Sequence, residues 1–287
     1  MEVRQRHHPL SVRQPSRYHD PCCFHRTRTG AQPSGMTEGF PFDGAAEVIA
    51  HRGYKARAPE NTLAAIDLAI EAGADAIEFD LQTAGDGNPV LFHDSMLSRT
   101  TNGVGPVRRR TIEQLKKLDA GGWFGPEFKG EEIPAFRETL DHLGDRVGCI
   151  YAEVKGFREL EDLDRMVHIT AEAGQQERTV FISLNFTLLD RMRSQDASIR
   201  IAYVVDGAES AEEALRRATG DSSAMIDFKA GLLLDHPSLA SRARDADIEL
   251  AAWTVDSPSD ASRLLHMGVP RITTNEVDAL LDWKRGL

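Results

Sequence analysis

No run of about 18 apolar residues occurs in the 287-residue sequence, so no segment reads as a helix that crosses a bilayer. Cysteine is scarce. The three present are Cys22 and Cys23, which are adjacent, and Cys149 in an apolar run, a spacing that gives no disulfide framework. The adjacent pair lies near His19 and His25 but lacks the separation of zinc-ligand pairs. No apolar stretch of about 7 to 15 residues follows the N-terminal basic residues, so a secretory signal is not read either, and a reducing cytoplasm is the expected location. Positive charge is in short supply, with 34 Lys and Arg against 45 Asp and Glu for a net charge of −11. It is also unevenly spread. Residues 1–35 hold six Arg, no Lys and two acidic residues, a net of +4, which leaves −15 for residues 36–287. Such a body repels nucleic acid and anionic membrane surfaces, which excludes the first as a partner and the second as a stable anchor. Oligomeric state leaves no trace in the sequence.

The same 35 residues carry four of the ten His and four of the thirteen Pro. That composition cannot supply a packed core and reads as a disordered lead-in, a transit peptide or a misassigned start, with Met36 as an internal alternative. The expected organisation is a basic extension over residues 1–45 and one domain over 46–287, near the size at which a single core stops growing.

From residue 46 onward, short apolar runs rich in β-branched residues alternate with segments of helical period. Strands are expected at 47–51, 76–82, 149–155, 179–184, 200–205, 224–229, 249–254 and 271–274. Helices fit between them at about 60–72, 157–173, 186–195, 209–219, 236–246, 258–267 and 276–285, several ending at Gly73, Gly174, Gly220 or Gly268. Eight strands alternating with helices fit a TIM (β/α)8 barrel better than a doubly wound sheet. One interval is too long for a simple crossover. Residues 83–148 read as an insertion between the second and third barrel strands, with helical stretches near 111–119 and 134–143.

The informative anomaly is charge inside strands that should be apolar. In Ile77-Glu78-Phe79-Asp80-Leu81, a period of two sends the apolar residues to one face and Glu78 and Asp80 to the other. Two carboxylates about 4 to 7 Å apart in a poorly solvated interior lose a proton or bind a cation, unless they sit at a wet strand end bonded to Arg. Tyr151-Ala152-Glu153-Val154-Lys155 repeats the pattern. Glu153 completes an oxygen-rich site for one hard divalent ion, Mg2+ or Ca2+, and Lys155 can hold an anionic substrate, although a plain Glu–Lys ion pair fits the same spacing. Histidine closes two apolar runs, as His51 before Arg52-Gly53 and as His93 before Asp94. Imidazoles either side of a phosphate can act as general base and general acid, with Arg52 clamping phosphate through its planar fork.

Several motifs occur in a specific order: His51-Arg52-Gly53, Pro59-Glu60-Asn61-Thr62, Glu78-x-Asp80, Asp86-Gly87-x-Pro89-Val90 and His93-Asp94. They are followed by Leu97-x-Arg99-Thr100-Thr101 with Gly103, Leu118-Asp119-Ala120-Gly121, Ile133-Pro134, Glu153-Val154-Lys155 and Trp253-Thr254-Val255. In order and spacing this set resembles the glycerophosphodiester phosphodiesterases over about residues 46–275. The resemblance implies a barrel in which Glu78, Asp80 and Glu153 hold the metal and His51 and His93 are acid and base. It also implies that Arg52 and Lys155 contact phosphate, that Glu60 stands at the rim, and that Trp253 lines the substrate pocket. Two stretches depart from the family pattern, Thr274-Asn275-Glu276-Val277 and Ser183-Leu184. Neither is expected to touch the metal or the histidines.

Three functions are compatible with these residues. The first is hydrolysis of a glycerophosphodiester to glycerol 3-phosphate and an alcohol, directly or through a cyclic phosphate. The second is a lysophospholipase D or sphingomyelinase D activity, which needs an apolar groove for an acyl chain. The third is a non-catalytic phosphodiester-binding barrel, which has no need to keep every histidine and carboxylate.

Overall fold

The computed structural model describes residues 46–287. The basic extension, the Cys22–Cys23 pair and the Met36 start lie outside the described residues.

Nine strands form among the described residues: β1 (Glu47–Ala50), β2 (Ala76–Thr83), β3 (Pro89–Leu91), β4 (Cys149–Val154), β5 (Thr179–Ser183), β6 (Arg200–Val205), β7 (Ala224–Lys229), β8 (Glu249–Trp253) and β9 (Arg271–Thr274). All but β3 pair in parallel, and β1 closes the ring by pairing with β2 through Ala50↔Ile77 and with β9 through Ala50↔Thr274. The result is a closed eight-stranded parallel barrel. Strand β3 adds antiparallel to β2, with Leu81↔Leu91 and Thr83↔Pro89.

The period-two reading decides the two faces. Ile77, Phe79 and Leu81 point outward with Ile150, Ala152 and Val154 into the large core beneath the helices. Ala76, Cys149, Tyr151, Val180, Ile182, Ala202, Val204, Met225 and Ala251 fill the barrel interior. At the N-terminal end of the strands Arg271 donates to Glu47 and to Glu249, and the Tyr151 hydroxyl donates to Glu47. These charges close the barrel floor.

The helices around the barrel are α1 (Leu63–Ala72), then α2 (Ile112–Leu115) and α3 (Phe136–Leu143) in the long excursion, then α4 (Leu160–Glu172), α5 (Phe186–Arg193) and α6 (Ala208–Ala218). They continue with α7 (Ala230–Asp235), α8 (Ser238–Asp245), α9 (Pro258–His266) and α10 (Val277–Arg285). Thr62 caps α1 by accepting from Ala65 N–H at 3.2 Å, and Gly73 ends it in the left-handed region at φ 95°. The helix expected at 236–246 is α8, and a short helix that was not expected, α7, precedes it, because chain leaving β7 turns at once into a helical turn and Pro237, lacking an N–H, separates the two. The stretch expected near 111–119 shortens to the one turn of α2, held by a Thr111–Gln114 capping box.

The excursion between β2 and β4 has its own core of Ala84, Val90, Phe92, Leu97, Val107, Leu115, Ala120 and Ile133. Each large apolar side chain so buried contributes about 1.5–3 kcal/mol, enough to fix a segment with little regular structure. It carries His93 and Arg99 to the C-terminal ends of the barrel strands. No helix among the described residues is long and apolar enough to cross a membrane.

Candidate active site

The mouth is built on a strained turn. Directly after β1, Arg52 and Gly53 both take positive φ, 55° and 72°. A side chain at Gly53 would stand 2.6 Å from the Ala65 carbonyl carbon, so glycine is required for its conformation and for its closeness to α1. The turn lets the Arg52 amide donate to Glu78 Oε2 at 2.9 Å and sends the Arg52 guanidinium across the mouth, with Nε 3.0 Å from Asp80 and Nη1 2.8 Å from Glu60. Asn61, also left-handed at φ 59°, pins Asp80 from the other side. It donates to Asp80 Oδ2 at 2.8 Å and accepts from the Asp80 amide at 3.0 Å.

Glu78, Asp80 and Glu153 are buried, and each offers a carboxylate oxygen within 4.8 Å of the others. Their environments differ. Burial, then repulsion from Asp80 and Glu153, pushes Glu78 well above the ordinary carboxylate range. Burial likewise raises Glu153, although Lys155 Nζ stands 2.7 Å away. For Asp80 burial is outweighed by Arg52, Lys155 and His93, so its carboxyl is held below the usual range. Glu78 Oε1 and Asp80 Oδ1 are buried without a hydrogen-bond donor. Three clustered carboxylates, two resisting ionisation and two oxygens lacking donors, match the needs of a hard divalent cation. The Glu153–Lys155 ion pair exists within the same cluster, so the two readings of that spacing hold together.

Both histidines stand at this mouth with different partners. His51 Nδ1 meets Asn275 Oδ1 at 2.8 Å, and Asn275 Nδ2 donates to Asp256 at 2.7 Å. Because the Asn275 amide nitrogen is committed to Asp256, its carbonyl faces the imidazole. The proton therefore sits on His51 Nδ1 and leaves Nε2 free, 4.0 Å from Glu78. Burial, then the charges of Arg52 and Lys55, pulls His51 down to about 4, so it is neutral at physiological pH. His93 Nδ1 instead meets the Asp94 carboxylate at 2.5 Å. Hydrogen bonds from Arg99, with help from His93, hold Asp94 at about 2.

Arg99 also ties Glu60 into the network with contacts of 2.7 and 3.0 Å. Burial pushes Glu60 up, but Arg99 and Arg52 prevail and hold it at about 2. Glu60 thus stands at the rim between two guanidiniums. Trp253 faces inward from β8 and donates from Nε1 to the Asp227 carbonyl at 3.2 Å. Every expected catalytic, metal-ligating and substrate-binding residue comes to this one end of the barrel.

One expectation is corrected. The Thr274-Asn275 departure does touch a histidine, since Asn275 is the partner of His51. A strand end reads as remote in sequence, but closure of the ring between β1 and β9 brings residue 275 beside residue 51. Ser183 and Leu184, the other departure, line a groove of about 300 Å3 with Glu153, Lys155, Phe157 and Leu188. Asn61, Arg99, Asp256 and Asn275 were not singled out as site residues. The first two stand within quoted motifs, and their carboxylate partners were the available signal.

Residues 51–279 match the glycerophosphoryl diester phosphodiesterase family. The chain is 34% identical over 244 residues to a glycerophosphodiester phosphodiesterase of Caldanaerobacter subterraneus subsp. tengcongensis, covering 83% of this chain and 97% of that one. It resembles the crystal structure of a glycerophosphodiester phosphodiesterase from Agrobacterium tumefaciens, with TM-score 0.69 and 28% identity over 82% of this chain and 99% of that one. An Oleispira antarctica phosphodiesterase solved in complex with the product sn-glycerol-3-phosphate is similar at TM-score 0.72 and 26% identity, over 84% of this chain and 97% of that one. With the family match spanning most of the described residues and a relative alike over nearly its whole length, the chain belongs to the glycerophosphoryl diester phosphodiesterase family.

Proposed function

We propose that the chain hydrolyses glycerophosphodiesters to glycerol 3-phosphate and an alcohol, using His51 and His93 as a base and acid pair beside a divalent ion. The observation that carries this reading is the pairing of a buried three-carboxylate cluster with two imidazoles at one barrel mouth, one backed by an amide and the other by a carboxylate. Glu78, Asp80 and Glu153 would hold Mg2+ or Ca2+, their all-oxygen donors suiting a hard ion. When bound, the ion supplies positive charge that offsets the anionic phosphate oxygens and the charge developing in the transition state.

The chain's own residues divide the remaining tasks. Arg52 and Lys155 present a guanidinium and an ammonium to the phosphate, the first held to shape by Asp80 and Glu60. His51 removes the proton of the attacking hydroxyl at its free Nε2, because burial and the charges of Arg52 and Lys55 keep the ring neutral while the Asn275 carbonyl holds its proton on Nδ1. His93 donates a proton to the departing alcohol from the ring nitrogen that faces the mouth, with Asp94 orienting the imidazole through Nδ1.

A second reading rests on the groove beside Glu153 and Lys155, where Phe157, Leu188 and the exposed Leu184 form an apolar wall. That wall suits an acyl chain and hence a lysophospholipid. Glycerophosphocholine and lysophosphatidylcholine, each assayed with the chelated protein refilled with Mg2+ or Ca2+, separate the readings. Metal-dependent release of glycerol 3-phosphate is expected. Turnover of the lysolipid alone would transfer the assignment, and turnover of neither would leave a binding barrel.

A further inference from the structure

Strand β7 reads Ala-Met-Ile-Asp-Phe-Lys, and its alternation buries Ile226 and Phe228 under the helices while Met225 and Asp227 enter the barrel. Asp227 is thus an interior carboxylate beyond the three of the cluster, and no motif of the sequence drew attention to it. It is 5% exposed, and its Oδ1 is buried without a hydrogen-bond partner among the described residues. The ring register places it relative to the site. Following Val204↔Asp227, Ser183↔Tyr203, Glu153↔Ile182 and Asp80↔Glu153, with about one residue of stagger per strand, sets Asp227 level with Glu78 on the opposite wall. The charges that act on it are Glu153 and Lys155.

Two bland roles fail on geometry. Asp227 is not among the residues whose ligand atoms gather within 4.8 Å, so it stands outside the cation cluster. Lys155 is engaged by Glu153 at 2.7 Å and Asp80 at 3.5 Å, so Asp227 is not its ion-pair partner. A buried acceptor left unmatched in the free protein carries a desolvation cost with nothing in return, which points to a donor that arrives with the ligand. Trp253, whose indole N–H donates to the Asp227 main-chain carbonyl, brings an apolar ring to the same wall of the barrel. An acceptor and an aromatic ring on one wall suit a short polyol, whose hydroxyls donate while its carbon chain packs on the ring.

We propose that Asp227 accepts a hydrogen bond from a glycerol hydroxyl of the bound phosphodiester and makes the site selective for that end of the substrate. The proposal rests on the phosphodiesterase reading above and names the residue that chooses among phosphodiesters. A site built to pair a substrate hydroxyl rejects the analogue lacking it far more strongly than an apolar pocket rejects a missing methylene.

The test compares glycerophosphocholine with propylphosphocholine, which has the same leaving alcohol and no glycerol hydroxyls. Wild type should prefer the first by about 10²-fold or more in kcat/KM. Asp227→Val, which removes the acceptor, should lose at least about tenfold of that preference through glycerophosphocholine alone, while Asp227→Asn, which keeps Oδ1, should retain most of it. Cation affinity measured by calorimetry should be unchanged in both. If Asp227→Val does not fold, Asp227→Ala takes its place. Equal losses on both substrates, or weakened cation binding, would assign Asp227 to the catalytic cluster and overturn the proposal. Wild type that turns over both substrates alike would also overturn it while leaving the phosphodiesterase reading intact, whereas turnover of neither would bring down that reading first.

Discussion

Replacing Glu78 by Gln should abolish turnover and at the same time stabilise the metal-free protein. Glu78 is 2% exposed and shares a space of 4.8 Å with Asp80 and Glu153. At that separation a pair of ionised carboxylates repels by about 3 kcal/mol at an effective dielectric of about 20. Arg52 and Lys155 offset part of this. If a third of one pair survives, about 1 kcal/mol remains, which moves the midpoint of a domain this size by about 2–4 °C. Its pH dependence follows from the raised pKa of Glu78. A carboxyl raised in the folded state keeps its proton longer there than in the unfolded chain, so its contribution is whole at low pH and is lost as pH climbs through the folded value. Glutamine mimics the protonated form. The variant should therefore match wild type only below the ordinary carboxyl range, at about pH 4, and exceed it by a few degrees at pH 8, both in chelator. Added Mg2+ or Ca2+ should raise the wild-type midpoint and not the variant's, and kcat should fall at least about 10²-fold. A variant that melts at or below wild type at pH 8 would show that Glu78 carries no repulsive strain, and one that retains its turnover would remove Glu78 from the site.

The two histidines should separate by leaving group. His93→Ala should lose at least about 10²-fold on glycerophosphocholine and recover much of it on a p-nitrophenyl phosphodiester, which leaves without a proton, whereas His51→Ala should fail on both. Equal losses on both substrates would end the division of roles. Asn61→Ala should weaken cation affinity by about 10- to 100-fold, because Asp80 loses the side chain that orients it, and calorimetric titration of the chelated protein reads this directly. Unchanged affinity would show that Arg52 alone suffices to place Asp80.

The barrel was legible because a parallel strand buried on both faces leaves a continuous apolar run, and eight such runs stood at crossover spacing. Within them Glu78, Asp80 and Glu153 were legible as exceptions, since a charge on an inward phase has no bland home. Asp227 sits on the same phase of its own strand, with Lys229 two residues on as Lys155 follows Glu153, but it falls in none of the quoted motifs. Helix α7 left no signal of its own, because its six residues directly continue the apolar run of β7 and are too few for a helical period to show. What no local pattern carries is a partner supplied by ring closure.

His51 and His93 look equivalent in sequence, each closing an apolar run and each followed by a charged residue. Their partners make them different. Asp94 is adjacent to His93 and reaches its Nδ1 because the excursion core fixes that turn, so the carboxylate was visible at the next position. Asn275 lies 224 residues from His51 and meets it because β1 pairs with β9 in the one register that aligns Ala50 with Thr274. A slip of one residue there would turn Asn275 to the other face and free the imidazole. The assignment of base to His51 and acid to His93 therefore depends on the seam that closes the barrel as much as on the histidines themselves.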